Sequence, residues 1–255
     1  MRPGIRIALC SLLMLAGCSQ GSSPGTHAET LTVLAAASLT GAFTAIGRGF
    51  ERRHVGVTVR FSFGPSDGLA GQIQQGAPAD VFASASSTWM DAVAADPGVQ
   101  DRGDFARNRL TIIVPKDNPA GIASVQDLAK PGVMLVLAAR GVPAGDYGRR
   151  MLEAAGIAKQ ALRNVVSNAV DVKGVVQAVT SGDADAGIVY VTDVTPDIED
   201  QVTVVDIPGD VNVVATYPIA VVDGARDAGL GKEFVAFVEG PGQRALRAAG
   251  FLSPG

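Results

Sequence analysis

The sequence predicts an α/β protein built from parallel βαβ units. Short apolar runs bounded by small or polar residues recur along the chain, and amphipathic stretches of helical length separate them. Of the 255 residues, 47% are hydrophobic and 18% are charged, which excludes an intrinsically disordered chain. A chain of this size and composition can bury a substantial core in one large or two small lobes.

The predicted strands are the apolar runs at residues 31–36, 57–61, 80–83, 110–114, 134–137, 164–166, 186–190, 202–205 and 211–222. The predicted helices lie between them at residues 39–54, 66–75, 87–95, 145–155, 172–180 and 229–238. In the first helix, for example, Leu39, Phe43, Ile46 and Phe50 recur with the spacing of one helix face. In the third, Trp89, Met90 and Val93 are predicted to pack on the sheet.

Residues 1–17 are predicted to be a lipoprotein signal peptide. Arg2 and Arg6 precede an apolar run, residues 7–15, that is too short to span a bilayer as a stable helix. The run ends in Leu-Ala-Gly-Cys at residues 15–18, which resembles the lipobox of bacterial lipoproteins. We therefore expect lipid on Cys18, a flexible tether over residues 18–30, and a protein held outside the cytoplasm on the cell membrane. An ordinary signal peptide with a chance cysteine is the alternative.

Composition also limits the kinds of binding or catalytic site that the protein can have. Two histidines and two cysteines make a zinc or haem site improbable, and no cofactor is expected. The formal charge of -4 argues against a nucleic-acid partner. Any functional site is therefore expected to use hydroxyls, carboxylates and backbone groups.

Four turns that follow predicted strands and open predicted helices could together bind an anion. They lie at residues 35–40, 63–69, 142–147 and 168–174. Free N–H groups and the helix dipole at such turns point beyond the carboxyl ends of the strands. Taken singly, Ser38 is more simply explained as a helix N-cap, and so is Asp171. Several converging helix starts favour an anion site that needs no formal positive charge.

Five segments in this order resemble the extracytoplasmic molybdate-binding proteins of molybdate ABC importers. They are Leu-Ala-Ala-Ala-Ser-Leu-Thr at 34–40, Gly-Ala-Pro-Ala-Asp-Val-Phe-Ala-Ser-Ala at 76–85, Val-Pro-Ala-Gly at 142–145, Gly-Ile-Val-Tyr at 187–190 and Tyr-Pro-Ile-Ala-Val-Val at 217–222. The resemblance implies a type 2 periplasmic-binding-protein fold with a ligand cleft between two α/β lobes. Lobe 1 would comprise residues 31–110 and 210–255, and lobe 2 residues 111–209. The crossovers near 110–114 and 209–214 would form the hinge.

The resemblance also implies a ligand set and partners. Ser38 and Ser66 would each give a backbone N–H and a hydroxyl, Ala144 and Val172 a backbone N–H only, and Tyr190 its phenol O–H. Molybdenum would be bound only as the molybdate oxyanion, with no direct protein ligand to the metal, and tungstate would be the close mimic. The partners would be the transporter's permease and its ATPase, and the protein would be a monomer.

Three charged residues adjoin the implied ligand turns. Asp67, which follows Ser66, departs from the serine-rich turn that the family often has at this place; we expect it to turn outward to solvent or to cap its own helix. Arg140 and Lys173 are predicted to be solvated surface residues that could steer anions by long-range attraction.

Two alternatives are open. One is a sulfate or phosphate receptor of the same fold; phosphate is disfavoured because a donor-only site leaves its proton unpaired. The other is a lipid-anchored serine hydrolase using Ser38 or Ser66. That chemistry needs a histidine base, for which the folded part offers only His54, and the sequence has no Gly-x-Ser-x-Gly motif.

Overall fold

The computed structural model describes residues 29–255. The strands in this range are β1 (Glu29–Ala36), β2 (Val57–Gly64), β3 (Val81–Ala83), β4 (Val99–Pro115), β5 (Leu135–Ala138), β6 (Val165–Ala169), β7 (Ala186–Tyr190), β8 (Val202–Val205) and β9 (Val214–Val222). The α-helices are α1 (Thr40–Glu51), α2 (Ser66–Gln74), α3 (Ser87–Ala95), α4 (Pro143–Ala154), α5 (Ala158–Ala161), α6 (Val172–Thr180), α7 (Ala228–Glu239) and α8 (Gln243–Ala248). The predicted signal peptide and most of the tether, including Cys18, lie outside the described residues.

The strands form a mixed sheet in the order β2-β1-β3-β9-β4-β7-β5-β6, with β8 paired to β4. Pairing is parallel within β1, β2 and β3 and within β5, β6 and β7. It is antiparallel wherever β4 or β9 takes part. We call the part built on β1, β2 and β3 the β1–β3 side, and the part built on β5, β6 and β7 the β5–β7 side. The α/β class is thus confirmed, with two parallel groups joined by antiparallel strands.

Strand β4 is much longer than the predicted run of 110–114. Its first part, up to Arg109, pairs with β9, and from Leu110 onward it pairs with β7 and β8. The first part was not predicted because charged residues interrupt its apolar pattern. Such a pattern is typical of a strand that has one side facing solvent. Strands β4 and β9 therefore connect the two sides.

The core lies on both faces of the parallel groups. Leu31, Val33 and Ala35 of β1 are fully buried, as expected for a parallel strand covered by helices. Met90 and Val93 pack as predicted, whereas Trp89 is only half-buried. This packing brings the carboxyl ends of β1 and β2 towards those of β5, β6 and β7, and the turns that follow these strands meet.

Candidate anion-binding site

A small cavity of about 20 Å³ lies where these turns meet. All five residues of the expected ligand set line it: Ser38 and Ser66 from the β1–β3 side, and Ala144, Val172 and Tyr190 from the β5–β7 side. Four of the five, all but Ser38, are at most 3% exposed. The structure therefore places together residues that are far apart in the sequence, in a site where all of them but Ser38 are buried.

Ser38 lies in a short 3-10 turn, Ala37–Leu39, that leads into α1. Its side chain caps no helix; Ser38 Oγ instead lies 3.0 Å from the hydroxyl oxygen of Tyr217 on β9. The simple explanation of Ser38 as an N-cap is therefore wrong. Its hydroxyl is held at the cavity by a contact from a distant strand.

Ser66 is the first residue of α2, where Pro65 occupies the N-cap position. Its Oγ accepts a hydrogen bond of 3.1 Å from the backbone N–H of Ala85. A hydroxyl that already accepts one bond still has its proton to donate. Because Ser66 is 1% exposed and lines the cavity, an anion in that cavity is the acceptor its position favours.

Ala144 and Val172 lie in the first turns of α4 and α6. N–H groups in the first turn of a helix have no acceptor within the helix, and the helix dipole adds positive potential there. Asp171 is the N-cap of α6, and its carboxylate accepts from Gly174 N–H at 3.0 Å. Its prediction as a cap is confirmed. Both helices therefore present free backbone donors to the cavity.

Gly145 fixes where α4 begins. A Cβ at this position would collide with the carbonyl oxygens of Ala138, the last residue of β5, and of Ala139, which follows it. Only glycine permits the helix to approach the strand end so closely. The N–H of Ala144, one residue earlier, is positioned by this contact.

Tyr190 ends β7, and its hydroxyl is buried without a hydrogen-bond partner among the described residues. Burial raises the pKa of Tyr190 well above its ordinary value, and the nearby Tyr217 hydroxyl raises it further. The phenol is therefore a protonated donor at neutral pH. A buried donor without a partner costs about 1–3 kcal/mol, which an acceptor in the cavity would remove.

No lysine, arginine or histidine lines this cavity in the part of the chain that the structure describes. Arg140 and Lys173 are exposed, as predicted. The one carboxylate in the lining, that of Asp171, is engaged in capping α6. The cavity thus offers neutral donors and suits an anion that carries no proton of its own.

The expectation for Asp67 is wrong for one of its two carboxylate oxygens. Asp67 is half-buried, and its Oδ1 is buried with no hydrogen-bond partner among residues 29–255, so this oxygen neither faces solvent nor caps α2. The side chain faces Gly141, on the β5–β7 side. The indole N–H of Trp89 also reaches across and donates to the Gly141 carbonyl at 2.7 Å. Asp67 and Trp89, both on the β1–β3 side, therefore lie next to Gly141 of the β5–β7 side.

A second cavity, of about 580 Å³, lies beside the first and is lined by Ser38, Lys173 and Asp193 among others. Asp193 accepts a hydrogen bond of 2.9 Å from Tyr190 N–H. Burial raises the pKa of Asp193 to about 7, against opposing effects of that hydrogen bond and of Lys173. Sequence reasoning missed Asp193, since a single aspartate after a strand carries no signal of its own.

Comparison with known proteins defines the class of the chain. Residues 31–252 match the family model described as bacterial extracellular solute-binding protein, so the chain belongs to this family and acts outside the cytoplasm. In the described part of the chain, no helix has the length and apolar character needed to cross a membrane.

Individual relatives narrow the comparison. The molybdate-binding protein ModA of Mycobacterium tuberculosis strain H37Rv is 38% identical, with 98% of each chain covered. The Escherichia coli protein of the same name is 35% identical, covering 83% of this chain and 84% of the relative. The solved structure of the Azotobacter vinelandii periplasmic molybdate-binding protein has a TM-score of 0.76 at 22% identity, covering 88% of this chain and all of that one. The family resemblance and the periplasmic-binding fold are confirmed.

Proposed function

We propose that the protein captures molybdate outside the cytoplasmic membrane and delivers it to an ABC importer. The observation on which this depends is the small cavity where the five expected ligand residues offer neutral donors and the one carboxylate, that of Asp171, is engaged in capping α6, with the Tyr190 hydroxyl unpartnered among the described residues. The names of the relatives point to the same ligand. Tungstate, which has the same shape and charge as molybdate, would be bound by the same donors.

The donor set supports a dianion without a proton. Phosphate near neutral pH keeps a proton that would need an acceptor, and the five lining residues of the ligand set provide only N–H and O–H groups. Sulfate satisfies the same condition, so the choice of molybdate over sulfate rests on the relatives. Molybdenum enters as the centre of the oxyanion, and no side chain contacts it directly.

We propose two lobes, residues 31–110 with 210–255 and residues 111–209, hinged on β4 and β9. The change of pairing partner along β4, from β9 to β7 at Leu110, supports this boundary. Rotation about the two strands would separate Ser38 and Ser66 from Ala144, Val172 and Tyr190. Closure would then bury the anion between the lobes.

We also propose that the mature protein is a monomer anchored by lipid on Cys18, with the permease and its ATPase as partners. Replacing Cys18 by serine is expected to release a folded receptor from membranes, because the anchor lies outside the α/β core. Membrane retention equal to that of the wild type would contradict the anchor.

The hydrolase alternative finds no support in the site. The Ser38 hydroxyl contacts Tyr217 and the Ser66 hydroxyl contacts Ala85 N–H. His54 is engaged elsewhere, through Nδ1 with the Phe50 carbonyl and through Nε2 with Glu233. A serine nucleophile needs a base within hydrogen-bond reach, and neither serine has one among residues 29–255.

A thermal-shift panel tests the proposed ligand. Molybdate, tungstate, sulfate, phosphate and nitrate are added to the mature protein at equal ionic strength. A ligand that binds only the native state raises the melting temperature. We expect molybdate and tungstate to raise it at the lowest concentrations. Stabilisation by sulfate but not by molybdate would overturn the proposal.

A further inference from the structure

A chain of buried polar side chains ends at the Ser38 hydroxyl. The side-chain amide of Asn108, on β4, donates to Thr192 Oγ1 at 2.8 Å and reaches Tyr217 Oη at 3.5 Å. Tyr217 Oη in turn lies 3.0 Å from Ser38 Oγ. Tyr217 is fully buried and Asn108 is 1% exposed. The chain therefore runs from the two strands that join the sides to one edge of the anion cavity.

The direction of these hydrogen bonds follows from the amide of Asn108. Its Oδ1 accepts the backbone N–H of Arg109 at 2.9 Å, so the nitrogen is the atom that faces Tyr217. An amide nitrogen donates and cannot accept. The proton of Tyr217 therefore has no acceptor at Asn108 and is directed to Ser38 Oγ. Ser38 accepts that bond, and its own proton is left to point into the cavity.

Two further observations support this direction. Burial raises the pKa of Tyr217 far above its ordinary value, so the hydroxyl keeps its proton. The Tyr217 ring packs edge-on against Tyr190 and Phe251, at centroid distances of 5.9 and 5.4 Å. The Tyr190 hydroxyl lies near that of Tyr217, and the two hydroxyls interact. Ser38 Oγ, at 3.0 Å, is the acceptor that lies at hydrogen-bond distance from Tyr217 Oη. The ring is therefore held by packing, and its hydroxyl is placed to donate to Ser38.

We propose that Asn108 and Tyr217 are positioning residues, which orient the Ser38 hydroxyl as a donor and thereby favour oxyanions without a proton. The inference rests on the proposed function and deepens it, since it names residues outside the ligand set that determine selectivity. If the Ser38 proton points into the cavity, a protonated oxyanion would bring its own proton up against the Ser38 proton, and neither could form a hydrogen bond there. Without Tyr217, Ser38 is free to rotate and can accept as well as donate.

Titration calorimetry with molybdate tests the orientation. Replacing Tyr217 by phenylalanine keeps the ring and removes the hydroxyl, and we expect affinity to fall about three- to tenfold. In a Ser38→Ala background the same change should have no further effect, because Tyr217 acts through Ser38. The matched control is Thr111→Val, which removes a buried hydroxyl on β4 that donates to the Val205 carbonyl. Its affinity should equal that of the wild type.

Selectivity separates positioning from a merely structural role. The ratio of dissociation constants for phosphate and molybdate, with phosphate measured at millimolar levels by competition, should fall in Tyr217→Phe. A structural defect would weaken both ligands alike and leave the ratio unchanged. An unchanged ratio, or losses that add in the double variant, overturns this inference while the proposed function stands. Failure of the wild type to bind molybdate overturns the proposed function itself.

Discussion

The two faces of the candidate anion-binding cavity offer the same kind of group, a neutral hydrogen-bond donor, in different ways. On the β1–β3 side, the hydroxyls of Ser38 and Ser66 already have protein partners, Tyr217 and Ala85 N–H. On the β5–β7 side, the donors are backbone N–H groups at helix starts and the buried hydroxyl of Tyr190, which has no partner among the described residues. On the β1–β3 side the protein itself orients the donors. On the β5–β7 side the donors lack partners in the described protein, so a bound anion would supply hydrogen bonds that they do not yet have.

The largest effect is expected on the β5–β7 side, from Ala144→Pro. Proline removes the N–H in the first turn of α4 without removing a bond within the helix. Loss of a donor to a charged acceptor, together with the strain of two adjacent prolines, should lower molybdate affinity about a hundredfold or more by calorimetry.

The matched control for that variant is Ala228→Pro, which places proline at the first position of α7 after the N-cap Asp227. Its affinity should equal that of the wild type. Comparable binding by the two proline variants would remove Ala144 from the ligand set.

Tyr190→Phe should lower molybdate affinity about ten- to a hundredfold, because in the proposed site the phenol would donate to a charged acceptor. Without added ligand, the same variant should be more stable than the wild type by about 1 kcal/mol, since it removes a buried donor that has no protein partner. Calorimetry and urea unfolding measure the two effects. A loss of stability in the absence of ligand would show that the hydroxyl has a partner in the protein.

The β5–β7 side also holds the carboxyl of Asp193, and its effect on stability should depend on pH. Its pKa in the folded protein is about 7, raised by burial from 3.8, so the native state binds a proton in that interval that the unfolded chain does not. The free energy of unfolding should therefore fall as pH rises from about 4 to about 7. Asp193→Asn should remove this part of the pH dependence, as followed by urea unfolding at a series of pH values. An unchanged profile would contradict the raised pKa.

The smallest effect is expected from the exposed cations beside the cavity. Arg140→Gln and Lys173→Gln should slow association with molybdate a few-fold at low salt and leave dissociation unchanged, since neither side chain lines the small cavity. Lys159→Gln is the control, because Lys159 follows the far end of α4, about 18 Å along the helix from the cavity. Stopped-flow measurements at low and high salt compare them. If either variant at Arg140 or Lys173 lost molybdate binding at moderate salt, that side chain would contact the bound anion directly.

Much of this arrangement could be predicted because its signals are local. Strand β7 and helices α3 and α6 begin and end at the predicted residues, since each is a buried run or an amphipathic stretch with a clear start. The turns of the site were predictable because each lies between a predicted strand and a predicted helix, although β2 and β6 are only partly buried. The first part of β4 and the short helices α5 and α8 were missed, because their patterns are charged or brief.

The remaining features depend on contacts that no local pattern encodes. Tyr217 and Ser38 are 179 residues apart, and their hydrogen bond exists only because β9 enters the sheet between β3 and β4. The prediction for Asp67 failed for a related reason. Its side chain faces Gly141, which belongs to the other side of the molecule and is distant in the sequence. The sequence indicates which residues face the cavity, whereas the tertiary structure determines which groups orient them.

Because of the contact between Trp89 and Gly141, the intrinsic tryptophan fluorescence should report on the separation of the two sides. Trp89 is the only tryptophan in the chain, and its indole N–H donates to a carbonyl on the β5–β7 side. If the sides move apart, that bond breaks and water reaches the ring, so the emission maximum should shift to longer wavelength. A single native fluorophore would then record, in real time and without a label, whether and how fast the two sides close when molybdate is added, as the proposed function requires.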